Sequence, residues 1–203
     1  MGCANTIFTL RTTIDYFTLR GSLIYADSLE ISKAFDTVNH YKLMCSLMKV
    51  DFPKYFVAML NIWYSNLEIV VRWNMSLSNT LSVRSGARQG SILSPSLFNI
   101  FINLIIVNLR KSHTGCVTNR TYFSCCLYAD DLIILSASLS GLKVMLMNCL
   151  HTCNQLSLSL NANKSCCVYF GPRYNADVDD LMLDNDKITW NSSFKYKYLI
   201  PSY

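Results

Sequence analysis

The sequence predicts an α+β fold in which helices pack on a mostly antiparallel sheet. Three observations carry this: apolar stripes at helical spacing and short β-rich runs intermix along the chain, no strand–helix–strand regularity links them, and two pairs of runs are close enough to form hairpins. Of the 203 residues, 51% are hydrophobic and 15% charged, against a globular norm of about 25% charged, so the chain can bury a core and is neither disordered nor collagen-like.

Residues 5–20 read as a helix with Ile7, Leu10, Ile14 and Phe17 on one stripe. From Ser22 to Ile31, Leu23, Tyr25, Leu29 and Ile31 alternate as in a strand, and Asp27 interrupts the apolar face. A helix over about 33–49 would turn Val38, Leu43, Leu47 and Met48 inward. Pro53 suits the first turn of the next helix, through Phe56, Leu60 and Trp63. Residues 68–73 and 80–84 form a hairpin candidate around Asn74-Met75; Asn suits such a turn, whereas Met replaces the usual Gly. After Pro95 the spacing of Leu97, Ile100, Phe101, Leu104 and Ile105 predicts a helix ending at Arg110–Lys111. Residues 122–128 and 132–136 form a second hairpin flanking Ala129-Asp130-Asp131. The stripe Leu142, Met145, Leu146, Cys149, Leu150, Cys153 gives a further helix, followed by a strand at 166–170. No repeat, low-complexity tract or linker divides the chain, so residues 1–203 read as a single domain.

The formal charge of +5 is uneven: residues 37–129 hold nine Lys/Arg and two acids, and residues 174–203 hold three Lys and five Asp. A basic middle favours a polyanionic partner, and it leaves Asp130–Asp131 conspicuous in an acid-poor stretch. Nine cysteines without a C-x-x-C spacing support neither a disulfide framework nor a zinc ribbon, and they read as buried reduced thiols. No secretory signal pattern opens the chain. The longest apolar run, the 13 residues Leu97–Leu109, is too short and too polar to span a bilayer, so an intracellular protein of cytoplasm or nucleus with no membrane partner is expected. Met1-Gly2-Cys3-Ala4-Asn5-Thr6 fits an acylation pattern, but short patterns recur by accident and no polybasic run follows.

Tyr128-Ala129-Asp130-Asp131 places two carboxylates at a tight turn between apolar strands, the kind of rigid oxygen-donor set that hard divalent cations need. Alone, the tetrapeptide also fits a solvated turn. Before it lies Ser32-Lys33-Ala34-Phe35-Asp36-Thr37-Val38-Asn39-His40, and between them Gly86-Ala87-Arg88-Gln89-Gly90-Ser91-Ile92-Leu93-Ser94-Pro95; Asn163-Lys164-Ser165 follows. In this order and spacing the segments resemble the reverse transcriptases of non-LTR (LINE-type) retrotransposons, the jockey-like and CR1-like groups especially, from about Ile7 to Leu199.

The resemblance implies a polymerase palm with part of the fingers, acting as an RNA-directed DNA polymerase with two Mg²⁺ ions, or Mn²⁺ in their place. Its partners would be an RNA template, a DNA primer and deoxynucleoside triphosphates. Asp130, Asp131 and the residue at Glu30 would be the metal ligands, and Lys164 would protonate the leaving pyrophosphate, although a surface lysine reads almost as well. Phe35 matches the aromatic gate against a ribose 2′-hydroxyl, or equally a core Phe. Gly86, Arg88, Gln89 and Gly90 match the loop that lies against template and nucleotide. Arg72, Arg84, Arg88, Lys49 and Lys54 are candidates for phosphate contacts or simply solvated charges. His40 reads as a helix-surface residue, and His113 and His151 lack metal-ligand companions.

The sequence departs from the family where it matters. Glu30 stands where the family has the first metal-binding Asp, and its extra methylene displaces the carboxylate by about 1.5 Å. Asp27 cannot replace it, because strand alternation sends residues 27 and 30 to opposite faces. Ser157, Met75 and Ile200 each replace a family glycine. The upstream fingers segment, the thumb and an endonuclease region are expected to be absent. An impaired or inactive polymerase is therefore expected; the alternatives are a non-catalytic RNA- or protein-binding remnant and, more distantly, a nucleotidyl cyclase, in which Arg88-Gln89-Gly90 has no natural role.

Overall fold

The structure, a computed structural model, describes residues 3–88, 90–118, 121–128, 131–171 and 180–191. Two compact units form: residues 1–32, 105–155 and 159–203 in the first, and residues 33–104 and 156–158 in the second.

The first unit opens with helix α1 (Cys3–Thr18) and strand β1 (Ile24–Glu30). The second holds α2 (His40–Lys49), α3 (Lys54–Ser65) and the short strands β2 (Glu68–Ile69), β3 (Arg72–Trp73), β4 (Ser76–Leu77) and β5 (Leu81–Ser82). Helix α4 (Ser94–Lys111) runs from the second unit into the first. There β6 (Val117–Thr118), β7 (Thr121–Tyr122), β8 (Cys125–Tyr128) and β9 (Asp131–Ser136) precede α5 (Leu139–Leu156). After a single 3-10 turn, Ala162–Lys164, come β10 (Cys166–Phe170), β11 (Leu181–Leu183) and β12 (Asp186–Trp190).

One six-stranded sheet organises the first unit, in the order β11-β12-β10-β1-β9-β8, and among the described residues only its β10–β12 pairing is parallel. β1 is central because its apolar alternation serves two faces. On one face Ile24 and Ala26 pack with Leu10 and Ile14 of α1, Ile133 and Leu135 of β9, Val168 of β10 and Cys116. On the other lie Asp27 and Leu29, beside Ile134 and Leu132 of β9. Asn108 of α4 donates to Thr152 of α5 at 3.0 Å, which ties the C-terminal half of α4 to α5.

Most predicted elements stand, with four informative differences. The helix expected from residue 33 starts at His40: Lys33 has a left-handed backbone (φ 45°), and the Phe35 and Val38 carbonyls accept from Ala87 and Gly86 amides instead of from a helix. Asn39 then caps α2, its side chain accepting from the Lys42 amide. Met48, expected inside, is exposed, and so is Trp63, while Tyr64 is buried because it shares a stripe with Val57 and Leu60. The first hairpin splits into two ribbons, β2–β5 and β3–β4, around Asn74 at φ 51°. β11 and β12 escaped the sequence reading because acids punctuate them and the turn residue Asp184 (φ 54°) is not glycine. As expected, Cys45, Cys116, Cys125, Cys126, Cys149, Cys153, Cys166 and Cys167 are free thiols. Among the described residues no helix is long and apolar enough to cross a membrane.

Candidate active site

The antiparallel register of β1 and β9 sets Glu30 directly opposite Asp131, and Tyr128 of β8 is the next partner of Asp131. Directly opposed residues share a face with Cβ atoms about 4.5–5.5 Å apart, so the two acidic side chains leave the same face at the end of the sheet. Both side chains are half-buried. Asp130, with Ala129, lies outside the described residues.

Lys164 supplies positive charge. Its Nζ lies 2.5 Å from Glu30 Oε1, with the Glu30 side chain 27% exposed. The 3-10 turn that carries Lys164 is held in place by the backbone: the Asn161 amide donates to the Glu30 carbonyl at 2.9 Å, the Glu30 amide donates to Ser165 Oγ at 3.2 Å, and the Asn161 side chain accepts from the Asn163 amide. Lys164 thus lies on the surface, its side chain 61% exposed, with its ammonium on the carboxylate at position 30.

The hard oxygens of Glu30 and Asp131, on one face and already neutralised in part by a cation, are the donor type that Mg²⁺ takes. These residues fit a divalent metal, although among the described residues no three His, Cys, Asp or Glu side chains cluster as ligands.

Asp27 takes no part in this site. It is the register partner of Ile134 and Cys167, it is fully buried on the opposite face from Glu30, and neither of its carboxyl oxygens has a hydrogen-bond partner. Burial pushes its carboxyl up to about 7, only partly countered by the adjacent Cys167 thiol. Burial, reinforced by the nearby Asp27, likewise raises the Cys149 and Cys167 thiols.

In the second unit a separate group assembles. Gly86 (φ 96°) lies so close to the chain at Asp36 that a Cβ would come 3.0 Å from the Asp36 carbonyl oxygen. Its amide donates to the Val38 carbonyl at 2.8 Å, and the Ala87 amide donates to the Phe35 carbonyl at 2.7 Å. The Phe35 ring stacks on Phe98 of α4, centroids 4.2 Å apart. Phe35, Arg88, Gly90, Ser91, Ser94 and Pro95 line a cavity of about 400 Å³, within the range of small-molecule sites. Gln89 lies outside the described residues.

The structure thus brings Glu30, Asp131 and Lys164 together in one unit, and Phe35, Gly86, Arg88 and Gly90 in the other. Arg72, Arg84, Lys49 and Lys54 are all exposed. His40 is the residue that sequence reasoning missed: it is half-buried, not a surface residue, and its Nε2 contacts the Gly86 carbonyl at 2.9 Å. The signal was its place one residue after a capping Asn at the start of α2, which fixes where its side chain can reach.

Comparison with known proteins gives the family and the fold. The family model "Reverse transcriptase (RNA-dependent DNA polymerase)" matches residues 6–199. The chain is 33% identical over 139 residues to the transposon TX1 uncharacterized 149 kDa protein of Xenopus laevis, covering 68% of this chain and 11% of that protein. It is 27% identical over 163 residues to the Pol polyprotein of retrotransposable element R2DM from Drosophila melanogaster, covering 80% of this chain and 15% of that one. Its fold is similar to a telomerase from Candida tropicalis, with a TM-score of 0.64 at 13% identity over 89% of this chain and 36% of that chain. The chain spans only about a tenth to a fifth of the length of the curated relatives it matches. With a family match across nearly its whole length, the chain belongs to the reverse transcriptase (RNA-dependent DNA polymerase) family.

Proposed function

We propose that the chain provides the palm and part of the fingers of an RNA-directed DNA polymerase of a non-LTR retrotransposon, and that Glu30 impairs it. The observation that carries this reading is the Glu30–Asp131 pairing across β1 and β9, with Lys164 at its edge. Glu30 and Asp131, together with Asp130, would hold divalent metal. Such ions activate a primer 3′-hydroxyl and offset triphosphate charge. Lys164 Nζ, held at the carboxylate row, would give a proton to the departing pyrophosphate oxygen. The cavity between Phe35 and the Arg88–Gly90 segment would take the incoming deoxynucleotide, with the Phe35 ring as the wall that rejects a 2′-hydroxyl. RNA template and DNA primer follow as partners, drawn by the basic middle of the chain.

Impairment follows from reach: the longer Glu30 side chain already spans to Lys164, and a displacement of about 1 Å at a catalytic group can cost roughly 10²-fold in rate. Primer extension on an RNA template tests the assignment. Weak, Mg²⁺-dependent incorporation that Asp130→Asn abolishes supports it, and robust synthesis by the unaltered chain contradicts the impairment. The Glu30 substitution also favours a second reading, a non-catalytic RNA-binding remnant. That protein would bind RNA with strong salt dependence, equally with and without Mg²⁺.

A further inference from the structure

We infer that His40 is a positioning residue for the nucleotide pocket: with Tyr64 and Ser94 it braces the Gly86–Arg88 backbone that carries the pocket wall. This rests on the polymerase reading of that pocket and goes beyond it, since His40 and Tyr64 stand behind the cavity wall and only Ser94 lines the cavity itself.

A carbonyl oxygen only accepts hydrogen bonds, so the 2.9 Å contact between His40 Nε2 and the Gly86 carbonyl requires the proton on Nε2. Two residues on, Ser94 Oγ donates to the Arg88 carbonyl at 2.6 Å. The two carbonyls on either side of Ala87 are therefore both held by side chains, while the Gly86 and Ala87 amides are held by the Val38 and Phe35 carbonyls. Tyr64, 5% exposed, joins the two props: its ring meets the His40 ring edge-on with centroids 4.6 Å apart, and its hydroxyl lies beside Ser94. The isolated bridge between Asn39 and Ser85 completes the attachment.

The consequence is mechanical. The Phe35 carbonyl accepts from the Ala87 amide and Arg88 follows Ala87 directly, so the width of the cavity that both line depends on these hydrogen bonds. Gly86 and Gly90, at φ 96° and 77°, leave the loop with glycine freedom at both ends, so the side-chain props add to the backbone bonds that hold it to one geometry. His40 acts through the Gly86 carbonyl, without touching the nucleotide.

Three variants separate this role from general stability. Gln places a donor where His Nε2 stands, Asn is too short, and Ala removes the donor altogether. Two readouts are needed: amide hydrogen exchange of Ala87, and nucleotide affinity in a complex with a chain-terminated DNA primer on RNA template, each at matched urea stability. The brace predicts that His40→Ala and His40→Asn speed Ala87 exchange and weaken nucleotide binding by about tenfold, and that His40→Gln restores both. Unchanged exchange and affinity in His40→Ala, or equal behaviour of the Gln and Asn variants, would overturn it. If the unaltered protein forms no nucleotide-dependent complex, the polymerase reading of the pocket fails, and the positioning role falls with it; the exchange data then show whether the mechanical brace stands by itself.

Discussion

Asp27 makes the strand at the centre of the sheet pH-sensitive. Burial pushes its carboxyl up to about 7 in the folded protein, against 3.8 when free, and the adjacent Cys167 thiol offsets only part of this. The folded state thus holds a proton that the unfolded state has already lost, and stability falls as pH rises through that window. The penalty is absent below about pH 4 and complete above about pH 7. At ~1.36 kcal/mol per tenfold change in proton affinity it reaches about 4 kcal/mol, a large part of the roughly 5–15 kcal/mol that a domain possesses. Other carboxylates contribute slopes of their own, so the informative quantity is the difference from Asp27→Asn, which keeps the shape and cannot ionise. In urea unfolding the variant should match the parent within about 1 kcal/mol at pH 4 and exceed it by about 4 kcal/mol at pH 8, moving the midpoint by about 2 M. Asp27→Val, which also removes the buried polar group, should be more stable at every pH. Parallel pH curves for the parent and Asp27→Asn would refute the reasoning, since they would mean that the carboxyl is not taken from water.

Three further outcomes follow from local geometry and charge. Ser157 holds φ 58° where the family has glycine, so Ser157→Gly should relieve about 1–2 kcal/mol of left-handed strain, offset in part by chain entropy and by the exposed 2.7 Å bond from Lys42; the Tm should rise by roughly 2 °C, and a fall would show that the Lys42 bond matters more. Gly86→Ala meets both positive φ and the Asp36 carbonyl, and should lose about 1–3 kcal/mol in urea unfolding. Residues 33–104 hold seven Lys/Arg and three acids, a net +4, so affinity for single-stranded RNA should drop about fiftyfold between 50 and 200 mM salt by fluorescence anisotropy if each net charge meets a phosphate; a salt-independent affinity would exclude phosphate contacts.

Much of the first unit was legible because its strands obey a period of two. That alternation alone separated Asp27 from Glu30, and the β1–β9 register places them on opposite faces. The placement of Lys164 was not legible: it depends on a 3-10 turn whose bonds run to the Glu30 backbone, from residues far away in the chain. His40 was misread for a similar reason. A local pattern shows where a helix begins, but not that a loop more than forty residues later will bring its carbonyl to the first side chain of that helix. The start of α2 shifted for the same cause, since the Phe35 and Val38 carbonyls are claimed by tertiary partners. Asp131 was found from sequence because so few acids surround it, and its partnership with position 30 is a matter of register.

Single-nucleotide incorporation on an RNA template, measured with Mg²⁺ for the unaltered protein and for Glu30→Asp, isolates what the side chain at position 30 does to the polymerase. Shortening this one side chain should raise the rate by roughly ten- to a hundredfold, because it returns the carboxylate opposite Asp131 to the reach that the proposed metal-binding site requires. Equal rates for the two proteins, or a slower Glu30→Asp, would contradict it and remove Glu30 as the limit on activity.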